Sequence, residues 1–348
     1  MYNHSLSSLS SDLNYIIENI QELKEDLYGS RIFLTGGTGF FGCWLVESFL
    51  WANAQLGLNA EVVVLTRNLA AFKSKAPHLV NHSAITFCDG DIKNFQPPAG
   101  EFSHIIHAAS EIYTVSNKNA KRITEDIVNN CAKILDFAVN CKAKKFLLTS
   151  SGSVYGKQPT SMAFIPEDYL KDKNNFEPHS AYGLGKLKAE NLGIEYAKRS
   201  SLEVKIARCF TFVGPYLPLN EHFAIGNFIA NGLRNEPIQV KGDGTPIRSY
   251  LYAADLAIWL WHILVRGKSC RPYNVGSEEA LSIADLAYLV AKCFSADIKV
   301  IIDKLPIMGK DIERYVPSTN RVRTELGLEQ SIKLIDAIKK TQKWLGPG

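Results

Sequence analysis

The stretch "RIFLTGGTGFFG", Arg31 to Gly42, runs from a short apolar segment into glycines at positions 36, 39 and 42. A predicted strand at 31–35 and a predicted helix at 41–55 require a tight turn and a close approach of helix to strand, and glycine permits both. The first N–H groups of that helix carry a partial positive charge toward any phosphate placed over the turn. In this strand–turn–helix setting, the glycines predict a dinucleotide-binding site.

Short apolar segments alternate with helical segments along the chain from this turn onward. Continuous runs rich in Val, Ile, Leu and Phe are typical of strands that are buried on both faces of a parallel sheet. The predicted strands are 31–35, 61–66, 84–88, 104–109, 145–150 and 203–209, and the predicted helices between them include 41–55, 119–140 and 181–199. This alternation predicts an α/β fold with a Rossmann-type, doubly wound parallel sheet.

The texture changes after about residue 210, where turn signals such as VGPYLP and KGDGTP become frequent and helices are predicted near 224–234, 254–266 and 282–294. We expect a dinucleotide-binding domain over 30–209 and a smaller C-terminal α/β substrate lobe over 210–348, some of whose segments return to the first domain. Residues 1–29 form a predicted amphipathic helical extension with Asp12 as its N-cap. Packing of this extension on the main domain is favoured over packing on a partner subunit.

Composition and charge exclude several classes of protein. The 348 residues carry 39 Lys and Arg against 35 Asp and Glu, a net charge of +4 without a basic block, so no nucleic-acid partner is predicted. Seven scattered cysteines show neither a C-x-x-C pair nor zinc spacing, which predicts free thiols and no metal site. No segment approaches the ~20 apolar residues of a membrane span, and the N-terminus lacks a secretory signal. We therefore expect a cytoplasmic protein without a membrane partner.

The glycine turn and the ends of the next strands supply the candidate cofactor contacts. Arg67 follows the second strand, where NAD sites usually carry an acid for the ribose 2′-hydroxyl, and it could pair with a 2′-phosphate or stack on adenine. NAD and NADP therefore both stay open. Asp91 could accept from the adenine amino group or cap the following turn. The candidate contacts are Gly36, Thr38, Gly39, Phe40, Phe41, Gly42, Arg67, Asp91, Ile92, Ala108, Ala109, Ser110, Tyr182 and Lys186.

A strand end rich in serine and a Tyr/Lys pair supply the candidate catalytic groups. The stretch "KFLLTSSGSVYGKQP", Lys145 to Pro159, ends a strand in hydroxyls, and "EPHSAYGLGKLKAEN" holds Tyr182 and Lys186. Residues i and i+4 share a helix face, and an ammonium ~5 Å away at an effective dielectric of ~20 stabilises a phenolate by roughly 3 kcal/mol. Such a phenolate, with Ser151 holding the same substrate oxygen, could remove a proton from an alcohol while hydride leaves its carbon.

Taken together, these motifs resemble the extended short-chain dehydrogenase/reductases that modify nucleotide sugars, among them 4-epimerases, UDP-glucuronate decarboxylases and 4,6-dehydratases. The resemblance runs in order from about 30 to 345 through Gly36-x-x-Gly39-x-x-Gly42, IIHAAS, TSSGSVYG, Tyr182-x-x-x-Lys186, GDGTPIRSYLYAADLA and YNVGS. It implies an NAD cofactor, a nucleoside-diphosphate sugar as substrate, polysaccharide biosynthesis as the setting, and a homodimer formed through the helices at 119–140 and 181–199.

The same resemblance assigns roles to individual residues. It implies that Ser151, Tyr182 and Lys186 are catalytic and that the arginines at 248 and 314 clamp the diphosphate. The implied substrate contacts are Glu111, Ser151, Ser153, Thr211, Asn227, Arg248 and Arg314. Thr211 departs from the family, which usually has an asparagine there, and Gly185 is similar to the decarboxylases, since the 4-epimerases have serine at that position. His107 is interpreted as structural.

The carboxylates missing before Val154-Tyr155-Gly156 bear on the reaction. The 4,6-dehydratases of this family place Asp-Glu there and the decarboxylases keep a glutamate in the second position, whereas this chain has Gly152 and Ser153. Removal of water from C5 and C6 needs an acid and a base beyond Tyr182, while a 4-epimerase only removes and returns hydride at C4. We therefore predict a nucleotide-sugar 4-epimerase. The alternatives are a 4,6-dehydratase, supported by Glu111, and a 4-keto reductase or 4-dehydrogenase with NADP(H), supported by Arg67.

Overall fold

The computed structural model describes residues 5–109, 120–171, 180–219, 223–309 and 311–346. The chain forms two compact units. The first consists of Met1–Gly156, Phe176–Cys209 and Ala257–Tyr273, and the second of Lys157–Asn175, Phe210–Leu256 and Asn274–Gly348.

Strands and helices follow one another along the chain much as the sequence pattern predicts. The strands are β1 (Arg31–Thr35), β2 (Glu61–Thr66), β3 (Ile85–Asp89), β4 (His104–His107), β5 (Lys145–Ser151), β6 (Glu203–Cys209), β7 (Phe212–Val213), β8 (Ile238–Val240), β9 (Ile247–Ser249), β10 (Leu251–Tyr252), β11 (Pro272–Val275), β12 (Ala280–Ser282), β13 (Val300–Ile302) and β14 (Arg314–Tyr315). The helices are α1 (Ser5–Ile20), α2 (Lys24–Leu27), α3 (Phe40–Leu56), α4 (Leu69–Lys75), α5 (Pro77–Val80), α6 (Ala120–Asn140), α7 (Ala181–Arg199), α8 (Ala224–Leu233), α9 (Ala253–Arg266), α10 (Ile283–Phe294), α11 (Asn320–Leu326) and α12 (Leu334–Leu345). In the described ranges, every helix is too short or too polar to cross a lipid bilayer.

A parallel sheet in the order β6-β5-β4-β1-β2-β3, with β11 beside β6 at its edge, organises the first unit. The chain runs outward from β1 through β2 and β3 and then returns to β4 on the other side of β1. Ligands of such sheets bind at the carboxyl ends of the strands where this reversal occurs. The predicted doubly wound parallel sheet is confirmed, and β2 and β6 have the predicted bounds.

The apolar strand residues are buried because helices cover the sheet. Phe33 of β1 has no exposed surface, and its ring lies 4.8 Å from that of Phe137 on α6 and 5.7 Å from that of Phe102 before β4. Edge-to-face ring pairs of this kind add to the free energy gained from buried area. This packing fixes the C-terminal half of α6 against β1 and the segment before β4.

The N-terminal extension packs on the first unit of its own chain. Helix α1 contacts α3, and its residues Ile16 and Ile20 are buried. Beyond α1, Arg266 of α9 pairs with Asp26 of α2 at 2.9 Å. The prediction of Asp12 as N-cap is wrong, because α1 begins at Ser5 and Asp12 lies buried within it.

The second unit is built from small sheets and three mutually packed helices. Its sheets have the orders β12-β9-β14, β10-β7 and β13-β8, and α8, α10 and α12 contact one another. Asn274 ties distant segments together, since its Nδ2 donates to the carbonyls of Ile165 at 2.9 Å and Ser318 at 3.0 Å. Arg321 of α11 adds an ion pair to Asp168 at 2.6 Å.

Burial along α1 predicts a position-dependent loss of stability. Ile16 has no exposed surface, whereas its neighbour Ile17 is partly exposed. We expect Ile16→Ala to lower the free energy of unfolding by about 2–5 kcal/mol and the matched Ile17→Ala to lower it by less than about 1 kcal/mol. Denaturant unfolding followed by circular dichroism measures both, and equal losses would contradict the packing of α1 on the first unit.

Candidate active site

The turn between β1 and α3 leaves no room for side chains. Gly36 has φ +74°, in the left-handed region, and a Cβ built there would lie 2.6 Å from the backbone nitrogen of Ala109. A Cβ at Gly42 would overlap the carbonyl oxygen of Gly36. The helix N-terminus is thereby held against the strand ends, with its free N–H groups directed over the turn, as a bound pyrophosphate requires.

A pocket opens above this turn within the first unit. The predicted cofactor residues that line it are Gly36, Thr38, Gly39, Arg67, Asp91, Ile92, Ala108, Ala109 and Lys186. His107, which the sequence analysis interprets as structural, also lines the pocket. The sequence did not single out the other lining residues, which are Thr35, Leu65, Thr66, Gly90, Ile127, Asn130, Cys131, Leu148 and Ala189. Phe40, Phe41 and Gly42 open α3, and the predicted contacts Ser110 and Glu111 lie outside the described residues.

Arg67 and Asp91 line the pocket, and Lys75 lies beside the lining residue Thr38. Arg67, whose side chain is 67% exposed, lies 3.6 Å from a carboxylate oxygen of Asp91. That carboxylate also accepts from the backbone N–H of Lys93 at 2.9 Å, so it caps the turn after β3 while lining the pocket. Lys75 of α4 donates to the carbonyl of Thr38 at 3.1 Å. The rim can therefore bind either a ribose diol, through Asp91, or an anion, through Arg67.

We use the name serine turn for Ser151, the last residue of β5, together with the short 3-10 helix at Gly152–Tyr155 that follows it. Ser151 Oγ accepts from the backbone N–H of Ser153 at 3.1 Å and donates to Ser153 Oγ at 3.2 Å, within a short 3-10 helix at Gly152–Tyr155. Helix α7 approaches this turn so closely that a Cβ at Gly183 would overlap the carbonyl oxygen of Ser153. The close approach brings the N-terminus of α7 to the hydroxyls.

Tyr182 and Lys186 lie in the first two turns of α7. The Lys186 side chain is buried, and its Nζ lies 5.7 Å from the ring centroid of Tyr182. The ammonium donates to the carbonyl of Thr149 in β5 at 2.9 Å. Tyr182 is partly exposed, whereas the ammonium beside its ring is buried.

Thr35 and His107, which both line the pocket, form a polar contact that the sequence does not predict. They are register partners on β1 and β4, and Thr35 Oγ1 lies 2.8 Å from His107 Nδ1. Thr35 Oγ1 also accepts from the N–H of Ala109 at 3.2 Å. Burial, with a smaller effect of the Lys186 cation, lowers the pKa of His107 to about 3. The imidazole is therefore neutral, which supports the structural role expected for it.

Two thiols near the ammonium are excluded as nucleophiles. Burial raises the pKa of Cys131 to about 12 and that of Cys209 to about 12, although the Lys186 cation opposes the shift in both. A thiol of such high pKa is protonated at neutral pH and reacts poorly. The hydroxyl groups of this site remain as its candidate reactive groups.

The second unit holds the candidate diphosphate contacts. Arg248 of β9 pairs with Glu313 at 2.5 Å and lies 6.0 Å from the ring centroid of Tyr315, its register partner on β14. Arg314 is instead the register partner of Ile247, so the two arginines leave opposite faces of the sheet. This arrangement favours separate contacts over the joint clamp that the sequence predicts.

The other two candidates of the second unit differ in their surroundings. Thr211 Oγ1 donates to the carbonyl of Ser249, so its hydroxyl braces the strand rather than standing open. Asn227 lies in the first turn of α8 and is partly exposed. Asn227 stays a predicted substrate contact, whereas the Thr211 hydroxyl is bound to the backbone of Ser249.

Comparisons with known proteins point to one family. A model described as the NAD dependent epimerase/dehydratase family matches residues 32–276. UDP-glucuronic acid decarboxylase 1 of Arabidopsis thaliana is 29% identical over 314 residues, which are 89% of this chain and 68% of that protein. A dTDP-glucose 4,6-dehydratase from Streptomyces venezuelae, solved with NAD bound, is 25% identical with a TM-score of 0.74 over 90% of this chain and 96% of that one. A UDP-glucuronic acid 4-epimerase from Bacillus cereus, in complex with NAD, shares the fold at 22% identity and a TM-score of 0.75, covering 90% of this chain and 96% of its own.

Crowding at the glycine turn predicts that Gly42→Ala loses the cofactor. The added Cβ would push α3 away from Gly36, and we expect at least about a tenfold weaker binding of NAD, since a displacement of this kind removes more than ~1.4 kcal/mol. The matched control is Gly242→Ala, where a Cβ meets nothing within 4 Å. Titration with NADH followed by fluorescence measures the change. Wild-type affinity in Gly42→Ala would contradict the assignment of the turn.

The neutral state of His107 predicts a pH dependence of stability. Its pKa falls from 6.5 to about 3 on folding. The stability it contributes is therefore present above about pH 6.5 and is lost as the pH falls toward 3, at a loss of about 2 kcal/mol between pH 7 and pH 5. We expect His107→Gln, compared with wild type by denaturant unfolding, to show an acid loss smaller by about that amount. Parallel curves for the two proteins would be the opposite result.

Proposed function

Because the chain belongs to the NAD dependent epimerase/dehydratase family, we propose that it acts as a nucleotide-sugar 4-epimerase. Membership confirms the predicted resemblance to the nucleotide-sugar short-chain dehydrogenase/reductases and the predicted NAD cofactor. The glycine turn fits that cofactor, because Gly36 and Gly42 leave the space that a side chain would fill. The relatives named above catalyse different reactions, so the proposal of a 4-epimerase depends on the residues of this chain.

The serine turn carries the choice. Ser151 and Ser153 occupy the end of β5 as a hydrogen-bonded pair, and the segment from Thr149 to Gly156 contains no acid. Hydroxyls can orient a sugar oxygen, but they cannot protonate a leaving hydroxyl group or take a proton from carbon at neutral pH. A reaction that only removes and returns hydride at one carbon suits such a site.

In the proposed reaction, each side chain has one task. Tyr182, as phenolate, takes the proton of the sugar 4-hydroxyl, and Ser151 donates a hydrogen bond to the same oxygen. Bound NAD supplies the hydride acceptor and donor at C4. Lys186 holds the phenolate form through its charge and is itself fixed by the carbonyl of Thr149. Return of the proton by Tyr182, after the 4-keto sugar has turned its other face, gives the epimer.

A decarboxylase is disfavoured by the same turn, although the relative at 29% identity is one. By the resemblance, the decarboxylases keep a glutamate where this chain has Ser153. Gly185, which resembles the decarboxylases, lies against Ile127 and Thr124 of α6, where a larger residue would not fit. Its small size is therefore explained by helix packing and does not itself support decarboxylation.

A 4-keto reductase is the second candidate, and Arg67 favours it. A planar guanidinium at the pocket rim pairs well with a 2′-phosphate, and the end of β2 lacks the acid that usually accepts from the ribose 2′-hydroxyl. Such an enzyme would exchange NADP(H) with solution and consume it in proportion to product. A 4-epimerase consumes none.

Arg314 supports a diphosphate site in the second unit. Its Nη1 is buried without a hydrogen-bond partner in the part of the chain that the structure describes. A buried guanidinium nitrogen without an acceptor is costly, and an anionic ligand would satisfy it. We assign Arg314 and Arg248 to the nucleotide diphosphate as separate contacts.

Product analysis tests the proposed reaction. We expect purified protein, incubated with UDP-glucose and UDP-glucuronic acid among a panel of nucleotide sugars, to give a product of unchanged mass and inverted C4 by NMR, without net NADH formation. Loss of water would indicate a dehydratase, loss of carbon dioxide a decarboxylase, and stoichiometric NADPH consumption on a 4-keto sugar a reductase. Each of these outcomes would overturn the 4-epimerase.

Tyrosine variants on one helix separate catalysis from folding. We expect Tyr182→Phe to lower kcat by about 10²–10⁴, the usual contribution of a general base. The matched control is Tyr196→Phe, also on α7, whose hydroxyl donates to Asp136. It should keep wild-type kcat.

A further inference from the structure

A buried ion pair lies behind the candidate catalytic groups and has no task in the proposed reaction. Glu190 follows Lys186 by one turn of α7, and Arg208 lies near the end of β6. The guanidinium donates through Nε to Oε1 at 3.0 Å and through Nη2 to Oε2 at 2.7 Å. The two side chains are 3% and 6% exposed, so solvent ions cannot screen the pair.

Two further side chains contact the ion pair. Ser150 Oγ donates to Glu190 Oε1 at 2.5 Å, and Arg208 Nη1 donates to Tyr155 Oη at 3.0 Å. Burial opposes the charge on Arg208, but Glu190 and Tyr155 outweigh it and raise the pKa of the guanidinium above its usual range. Arg208 is therefore always charged, and the contact joins β5, β6, α7 and the serine turn.

The carboxylate of Glu190 and the ammonium of Lys186 bind neighbouring residues of β5. Lys186 is fixed on the carbonyl of Thr149, and Glu190 is fixed on the next residue of β5, Ser150. Because the two helix residues share a face and the two strand residues are adjacent, the charges lie within roughly 10 Å of each other. A unit charge at that distance shifts a neighbouring proton equilibrium by about one pH unit at an effective dielectric of ~20.

We propose that Arg208 is a positioning residue that binds Glu190 and balances its charge, so that this carboxylate does not offset the electrostatic effect of the Lys186 ammonium on the phenol of Tyr182. This inference rests on the proposed role of Tyr182 as the base.

Among the described residues, three titratable groups whose pKa the Lys186 charge affects are uncharged at neutral pH. They come from three elements: His107 of β4, Cys131 of α6 and Cys209 of β6. Burial keeps the imidazole neutral and both thiols protonated, and β5 contributes only carbonyl and hydroxyl groups at this point. Glu190 and Arg208 are therefore the charged side chains near Lys186 on which the proposal depends.

The test is a titration of the phenol itself. Ultraviolet difference absorbance of each protein minus its Tyr182→Phe counterpart, with NAD present, reports formation of the phenolate at position 182. We expect Arg208→Gln, which leaves Glu190 unopposed, to raise the midpoint by about one pH unit. Glu190→Gln, which leaves the arginine unopposed, should lower it by about the same amount. The double variant should return the midpoint to within about 0.3 of wild type.

An ion pair that only stabilises the fold gives a different pattern of midpoints, because loss of packing does not depend on whether a positive or a negative charge is removed. Shifts in the same direction for both single variants, or no shift in either, would overturn the proposal. Should Arg208→Gln fail to fold, Glu190→Gln and the double variant still decide, since only a charge effect lowers the midpoint in one and restores it in the other. The matched control is Glu195→Gln, whose carboxylate pairs with Arg199 at 3.8 Å on the exposed side of α7 and should leave the midpoint unchanged.

The readout also keeps this proposal separate from the proposed function. The titration needs no sugar substrate, so the midpoints are obtained whether or not the protein epimerises any nucleotide sugar. Opposite shifts without epimerase activity would support the ion pair and contradict the 4-epimerase, and epimerase activity without opposite shifts would do the reverse.

Discussion

A lysine ammonium enclosed in the first unit is the constraint on which the rest of the site depends. Burying such a charge is unfavourable by several kcal/mol unless polar groups replace the lost water. The carbonyl of Thr149 is one such group, and Lys186 reaches it because α7 packs against β5. The same closeness requires glycine at positions 183 and 185, against the serine turn and against α6. The end of β5, the start of α7 and the ammonium of Lys186 are thus fixed relative to one another. Tyr182 lies one turn before Lys186 on α7, so the position of its phenol is fixed by the same contacts.

Sequence alone predicts those parts of this arrangement that depend on local pattern. Buried strands and long helices were predicted to within a residue or two, because continuous apolar runs and helical spacing are local signals. The i, i+4 relation of Tyr182 and Lys186 is likewise local. In contrast, the predicted start of α1 is wrong by several residues. Leu6 and Leu9 continue the spacing of Leu13 and Ile16, but the serines around them are weak helix formers.

Contacts between elements lay beyond the sequence. Nothing in the pattern indicates that Thr35 would meet His107, because their pairing depends on the register of β1 with β4. The same holds for Arg208 and Glu190, whose ion pair depends on the packing of β6 against α7. That Arg248 and Arg314 point to opposite faces of their sheet likewise depends on the register of β9 with β14, which the sequence does not show. Tertiary register decides each of these cases.

The proposed chemistry requires the 4-hydroxyl oxygen of the sugar to lie beside Tyr182 and Ser151. The most direct measurement is a crystal structure of the protein with NAD and a UDP-sugar bound. We predict that the 4-hydroxyl of the sugar lies within hydrogen-bond distance of both Tyr182 Oη and Ser151 Oγ. A sugar whose 4-hydroxyl is instead held by a carboxylate, with the ring of Tyr182 turned away from it, would contradict the account.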